Sequence, residues 1–287
     1  LQIGLSTFAL AGAIKNGQLT VVEAIQWIAD NGGDFVEIVP AGFSLVKEPD
    51  LIGQIRERAA DNGIRVAHYC VGAKFNDKTD QEWQQEVDKV KRHVDIAREL
   101  GADMIRHDAA SRPPEQCGLA YFEADLPAIV EGCREIADYA AARGMTTSIE
   151  NHGLYLEASE RVQRVIRLVD RPNFKTTIDL GNFLFAGEEP LSAVQNNLPF
   201  ANVIHLKDFL IRRPGANPGE GFHPLPDGRY YRHTLFGHGD LDVREIMRAI
   251  KQSGFSGLLS HEFNGIEDCL LASRIGLANA RRMWEEA

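Results

Sequence analysis

The sequence predicts a (β/α)8 barrel formed as a single domain over residues 1–287, and three observations carry that expectation. Short apolar runs alternate eight times with longer amphipathic ones. The amphipathic runs close on glycine just before the next apolar run begins. The later apolar runs each end in an ionisable residue. Barrels of this type commonly reach about 250 residues as one domain.

The eight apolar runs are Ile3–Thr7, Phe35–Val39, Arg65–Cys70, Met104–His107, Thr146–Glu150, Phe174–Asp179, Asn202–Lys207 and Gly257–Glu262. Each is brief and rich in β-branched or aromatic residues, as parallel strands covered on both faces should be. Between them the helices are punctuated. Thr20-Val-Val-Glu23 is a capping box, and its helix stops near Asn31-Gly32-Gly33. The runs Asp50–Asn62, Gln81–Leu100 and Ala124–Arg143 end at Gly63, Gly101 and Gly144, which supply left-handed C-terminal caps. Asp242-Val-Arg-Glu245 opens a helix that ends at Ser253-Gly254. Units of roughly 30–35 residues repeated in this way close into a barrel. An open doubly wound sheet is the rival, but no G-x-G-x-x-G follows the first strand. From Phe209 to Phe236 the rhythm fails. The segment holds Pro214, Gly215, Pro218, Gly219, Gly221, Pro224, Pro226 and Gly228 without periodicity, and it is expected to be a lid over the barrel mouth.

Composition narrows the function classes. The chain holds 44% hydrophobic and 25% charged residues, which is ordinary for a soluble globular domain. Its four cysteines (Cys70, Cys117, Cys133, Cys269) form no C-x-x-C pair, so a disulfide framework or cysteine zinc site is not expected and a reducing, cytoplasmic setting is. No apolar run approaches the roughly 20 residues of a membrane span. The chain opens at Leu1, compatible with removal of an initiating methionine or a leader. A formal charge of −10, without a basic run, disfavours nucleic acid as partner. A small-molecule ligand fits better, and the composition admits a homo-oligomer.

Polar groups at the C-terminal ends of barrel strands point into the site. Strands five to eight end in Ser-Ile-Glu150, Thr-Ile-Asp179, Ile-His205-Leu-Lys207 and Ser-His-Glu262. Three carboxylates delivered to one point would repel each other, and a divalent cation relieves that. Glu150, Asp179, His205 and Glu262 are therefore the expected ligands of one metal ion. Three oxygens and one nitrogen form a hard donor set that favours Mn2+, with Mg2+, Co2+ or Zn2+ as alternatives. His152 and Lys207, two positions beyond proposed ligands, are expected substrate contacts. Glu37, His68 and His107, at the ends of strands two to four, are expected to line the pocket. His233 and His238 flank the end of the lid and are candidate substrate contacts. Phe183 and Phe185 are candidates for an apolar pocket wall.

Glu150-Asn-His-Gly153, Asp179-Leu-Gly-Asn182, His205-Leu-Lys-Asp208, Gly237-His-Gly-Asp-Leu241 and His261-Glu262-Phe263 give the chain, over nearly its whole length, a resemblance to a known family. It resembles the xylose isomerase-like barrels of the AP endonuclease family 2 superfamily. These include sugar isomerases, ketose 3-epimerases, inosose dehydratases, dehydroshikimate dehydratases and endonuclease-IV-type nucleases. The resemblance implies metal binding at the four positions above and proton transfer by Glu150 and Glu262. The leading expectation is an isomerase or epimerase acting on a sugar or keto-polyol through a metal-stabilised enediolate. Elimination of water by the same first step is the alternative, and a noncatalytic sugar-binding barrel ranks lower. The nuclease branch needs D-x-x-H and D-x-H motifs for three zinc ions. Here the matching stretches read Asp179-Leu-Gly-Asn182 and Tyr231-Arg-His233, so two ligands are missing.

Overall fold

The computed structural model covers residues 1–287. Its strands are β1 (Gln2–Ser6), β2 (Phe35–Ile38), β3 (Arg65–Val71), β4 (Met104–His107), β5 (Thr146–Glu150), β6 (Phe174–Asp179), β7 (Ala201–Leu206), β8 (Asp208–Arg212), β9 (His223–Pro224), β10 (Tyr230–Thr234) and β11 (Leu258–His261). The α-helices are α1 (Ala11–Lys15), α2 (Val21–Asp30), α3 (Asp50–Asp61), α4 (Asp80–Glu99), α5 (Leu119–Ala141), α6 (Ser159–Val169), α7 (Pro190–Asn197), α8 (Val243–Gln252) and α9 (Cys269–Glu286). Strands β1 to β7 and β11 close into a parallel barrel of eight, β11 pairing with both β7 and β1. This is the fold the alternating runs predict.

Local chemistry explains the helix ends. Thr20 and Glu23 form the expected capping box, and Thr79 with Glu82 forms a second that opens α4. Helix α5 begins at Leu119, five residues before the expected Ala124, and accommodates Pro127 in its interior. None of the cysteines is in a disulfide, and no helix is long and apolar enough to cross a membrane.

Inside the barrel, side chains stack in layers. Phe35, Ala67, Val203 and Leu258 form an apolar plug, with Met104 against it. Above them come small polar groups, including Ser148 and Thr177, whose hydroxyls lie 2.9 Å apart. The ionisable residues follow at the mouth. Register sets them side by side: Asp179 pairs with His205 across β6 and β7, and Cys70 pairs with Arg106 across β3 and β4.

The segment expected to be an irregular lid is a folded unit. β8, β10 and β9 make a three-stranded antiparallel sheet, with Phe209 opposite His233 and Leu210 opposite Arg232. Phe209, Leu225 and Phe236 join the main core, so this segment is part of the fold as well as a cover. Its proline and glycine content confines irregular backbone to the connections between strands.

Asp208 anchors that unit. Its carboxylate accepts from the amides of Phe209, Gly237, Gly239 and Leu241 at 2.8–3.3 Å. A Cβ on Gly239 would lie 2.0 Å from Asp208 Oδ1, so the loop approaches closely enough only with glycine there. Replacing Asp208 with alanine leaves these amides without acceptors in a buried place. We expect Asp208→Ala to lower unfolding free energy by about 2 kcal/mol or more in a urea titration. A change below about 0.5 kcal/mol would show that the anchor contributes nothing.

Candidate active site

Glu150, Asp179 and His205 bring donor atoms within 4.8 Å of one another at the barrel mouth, and Glu262 reaches His205 beside them. Each has its remaining polar atom held by a different partner. His205, 1% exposed, gives Nε2 to Glu37 Oε2 at 2.9 Å. Its Nδ1 has no hydrogen-bond partner and lies 3.5 Å from Glu150 Oε1 and 3.6 Å from Glu262 Oε1. Asp179 accepts through Oδ1 from the amides of Gly181 and Asn182. Its Oδ2 meets the Lys207 ammonium at 2.7 Å. Glu150 has Oε2 held by Arg106 at 2.6 Å, and Glu262 has Oε2 held by Lys207 at 2.8 Å. Donor atoms of Glu150, Asp179 and His205 all fall within 4.8 Å of one another.

A divalent cation fits this arrangement. An orphaned, buried imidazole nitrogen whose other nitrogen is fixed by a carboxylate is the geometry of a histidine held ready for a metal. Three oxygen donors beside it are the hard complement that Mn2+ or Mg2+ prefers.

The electrostatics agree. Burial disfavours the charged form of His205, but Glu262, Glu37 and Glu150 outweigh it and hold its pKa well above the ordinary value. The field that draws a proton to Nδ1 draws a cation equally. For Glu150, burial acts to raise the pKa, yet Arg106 and His205 hold it well below the usual range. Asp179 is shifted upward, by burial first, with Lys207 opposing and Glu150 and Glu262 adding to it.

The remaining expected residues divide. Glu37 and His68 do not reach the cavity surface. Both are 0% exposed and sit below His205, with Glu37 Oε2 accepting from His68 Nδ1 at 2.7 Å as well as from His205. His107 points away from the site. Strand alternation turns Arg106 inward and sends His107 outward, between Phe75 and Phe174, with Nδ1 donating to the Asp108 carbonyl. It does not line the pocket. Lys207 pairs with Asp179 and Glu262.

A cavity of about 330 Å3 lies above the cluster, with His152, Lys207 and His233 in its wall beside Asn182, Phe185 and Tyr231. Phe185 thus faces the cavity. Phe183 packs in the core, and His238 lies outside the cavity wall.

Sequence reasoning passed over Arg106, Asp108 and Glu157. Arg106 bridges Glu150 and Asp108, and Asp108 also meets His152 Nδ1 at 3.3 Å. Period-two alternation from Met104, which packs on the interior plug, was the available signal for Arg106.

Residues 25–286 match the xylose isomerase-like TIM barrel family, and the chain belongs to that family. Among its relatives is an inosose dehydratase of Geobacillus thermodenitrificans, 22% identical over 188 residues that take in 62% of this chain. The match spans 63% of that relative, less than two thirds of its length. A xylose isomerase-like barrel of Mycobacterium smegmatis in complex with magnesium superposes with a TM-score of 0.73 at 17% identity, covering 99% of this chain and 97% of that one. D-psicose 3-epimerase of Clostridium cellulolyticum with D-tagatose superposes at 0.74 and 15% identity, covering 99% of both. The family holds epimerases, isomerases and dehydratases, and the buried acidic and histidine cluster is compatible with a divalent metal.

Glu37 offers a test of the fit. A carboxylate that orients a ligating histidine typically contributes about 10–100-fold in metal affinity. We expect Glu37→Ala to weaken Mn2+ binding by about that factor when free Mn2+ is followed by electron paramagnetic resonance. Unchanged affinity would remove His205 from the ligand set.

Proposed function

We propose that this protein is a metal-dependent isomerase or epimerase of a sugar or keto-polyol, moving a proton at the carbon next to a carbonyl. One observation carries the reading. Glu150 and Glu262 face the same point from β5 and from the end of β11, each with its outer oxygen on a separate cation. A bound divalent ion would supply Lewis-acid stabilisation of the negative charge that develops on substrate oxygen.

The chain's own groups account for the rest. Arg106 keeps Glu150 ionised, and an ionised carboxylate is the form that accepts a proton. Glu262, which reaches His205 Nδ1 from the end of β11, would return one. Lys207, in the cavity wall, balances the charge of Asp179 and Glu262. The folded cover, through Tyr231 and His233, limits water around a carbanion-like intermediate. Likeness to an inosose dehydratase favours a second reading, in which the same abstraction ends in loss of water. Product mass separates the two.

Metal analysis comes first. A single cluster predicts about one Mn, Mg, Co or Zn per chain after purification without chelator. Three zinc ions per chain would return the nuclease reading.

The glutamates then distinguish a catalyst from a binder. Glu150→Gln and Glu262→Gln keep a ligating oxygen and remove the base. Under saturating Mn2+ the metal should partly return, while exchange of substrate α-hydrogen with D2O stays about 10²–10⁴-fold below wild type. Exchange at the wild-type rate in both variants would leave these residues as ligands only.

A further inference from the structure

Glu157 is a carboxyl residue in the wall of the mouth cavity without an ion-pair partner. It is 3% exposed, its Oε2 has no hydrogen-bond partner, and no lysine, arginine or histidine forms an ion pair with it. Burying a carboxyl without a counter-charge is costly, and native proteins rarely leave one so.

Its position is fixed by its neighbours. Tyr155, two residues earlier, donates its hydroxyl to Asp125 at 2.6 Å, and its carbonyl accepts from Arg161. Leu154 holds a φ of 60°, a left-handed conformation that non-glycine residues avoid without a reason. The loop from β5 to α6 thus holds the carboxyl against the cavity where a flexible chain would turn it to solvent.

The cavity's other charges indicate what Glu157 meets. Lys207 is committed to Asp179 and Glu262, and His152 to Asp108. His233 is pushed down to about 3, by burial first and then by Lys207 and His223, so it is neutral at pH 7. No free cation remains in the wall to take a phosphate or carboxylate. Burial raises the Glu157 carboxyl to about 7 against the amides of Leu154 and Gly153, which gives it both a donor and an acceptor form near neutrality. A hydroxyl group has the same pair of roles.

We propose that Glu157 is a specificity-determining residue that hydrogen-bonds a hydroxyl of an unphosphorylated polyol substrate and disfavours a phosphate ester at that end. The inference rests on the polyol reading of the site and adds to it the charge state of the substrate. A cavity of about 330 Å3 has room for a five- or six-carbon polyol, being within the range usual for small-molecule sites.

The test uses xylitol and xylitol 5-phosphate as probes, titrated calorimetrically into the full-length protein with and without Mn2+. Wild type should bind xylitol at least about 10-fold more tightly than the ester. Glu157→Leu should weaken xylitol about 5- to 20-fold and narrow the preference, since one hydrogen bond to a buried group is lost. Glu157→Gln keeps a donor and an acceptor and should bind xylitol within about threefold of wild type. Metal content and melting temperature should stay unchanged in both variants. Should Glu157→Leu fail to fold, the glutamine variant decides by the same threefold criterion. Equal or tighter binding of the ester by wild type, or wild-type xylitol affinity in the leucine variant, overturns the assignment while the polyol reading stands. If wild type binds neither probe with metal in place, the polyol reading itself falls and takes the assignment with it.

Discussion

The constraint on which the rest of the site depends is the cost of bringing acidic groups together out of water. Glu37, Glu150, Asp179 and Glu262 are all at least 92% buried within one end of the barrel, by exposures of 0, 4, 0 and 8%. Isolated, each would take up a proton and lose its use as a ligand or base. The fold supplies Arg106, Lys207 and His205, each spanning two of the acids or an acid and the next layer. Removing one member of such a buried set strands the charge opposite it, which typically costs about 3–5 kcal/mol. The lattice is therefore self-supporting, and the cluster of Glu150, Asp179 and His205 within it is compatible with a further divalent cation.

The tetrapeptide His205-Leu-Lys-Asp208 shows how closely fold and site are joined. Alternation along the strand turns His205 and Lys207 inward, to the acids, and Leu206 into the surrounding core. Asp208 then leaves the barrel and gathers the amides of the loop that follows the cover sheet. Four consecutive residues thus set a candidate ligand, a counter-charge, a core contact and the anchor of the cover. The sheet above is held in turn by an aromatic cluster, with Phe209 4.5 Å from His233 and 5.3 Å from Tyr231 between ring centres. Because Tyr231 and His233 also face the cavity, the packing that stabilises the cover shapes the place where substrate would sit.

Much of this was legible in the sequence, for a physical reason. Both faces of each strand are buried, so an ionisable residue ending an apolar run has few destinations other than the mouth, and Glu150, Asp179, His205 and Glu262 stand out on that ground. Met104-Ile-Arg-His107 misled because it ends in two polar residues that face opposite ways. The terminal histidine drew the reading, although the period fixed by Met104 selects Arg106. Glu157 and Asp108 lie past the strand ends, in loops where periodicity carries no information about burial. The cover sheet was hidden differently. Its prolines and glycines lie mostly in the connections, and they masked the two five-residue strands Asp208–Arg212 and Tyr230–Thr234.

The two cations beside the glutamates also bear on where protons can go in the proposed chemistry. Arg106 does not release a proton at any pH the fold survives. Lys207 is disfavoured as an ammonium by burial, but Asp179, Glu262 and Glu150 outweigh that and raise its pKa, so it too stays charged. His205 has one nitrogen committed to Glu37 and the other turned to the ligand point. His107 lies outside the cluster, and the carboxylate of Asp108 is bound by Arg106 and His152. Around His205 Nδ1, the proposed chemistry therefore assigns the mobile proton to Glu150 and Glu262. The fixed cations set the ionisation of the glutamates without competing for the proton, and so the same pair of residues can serve as ligand and as acid or base in one site.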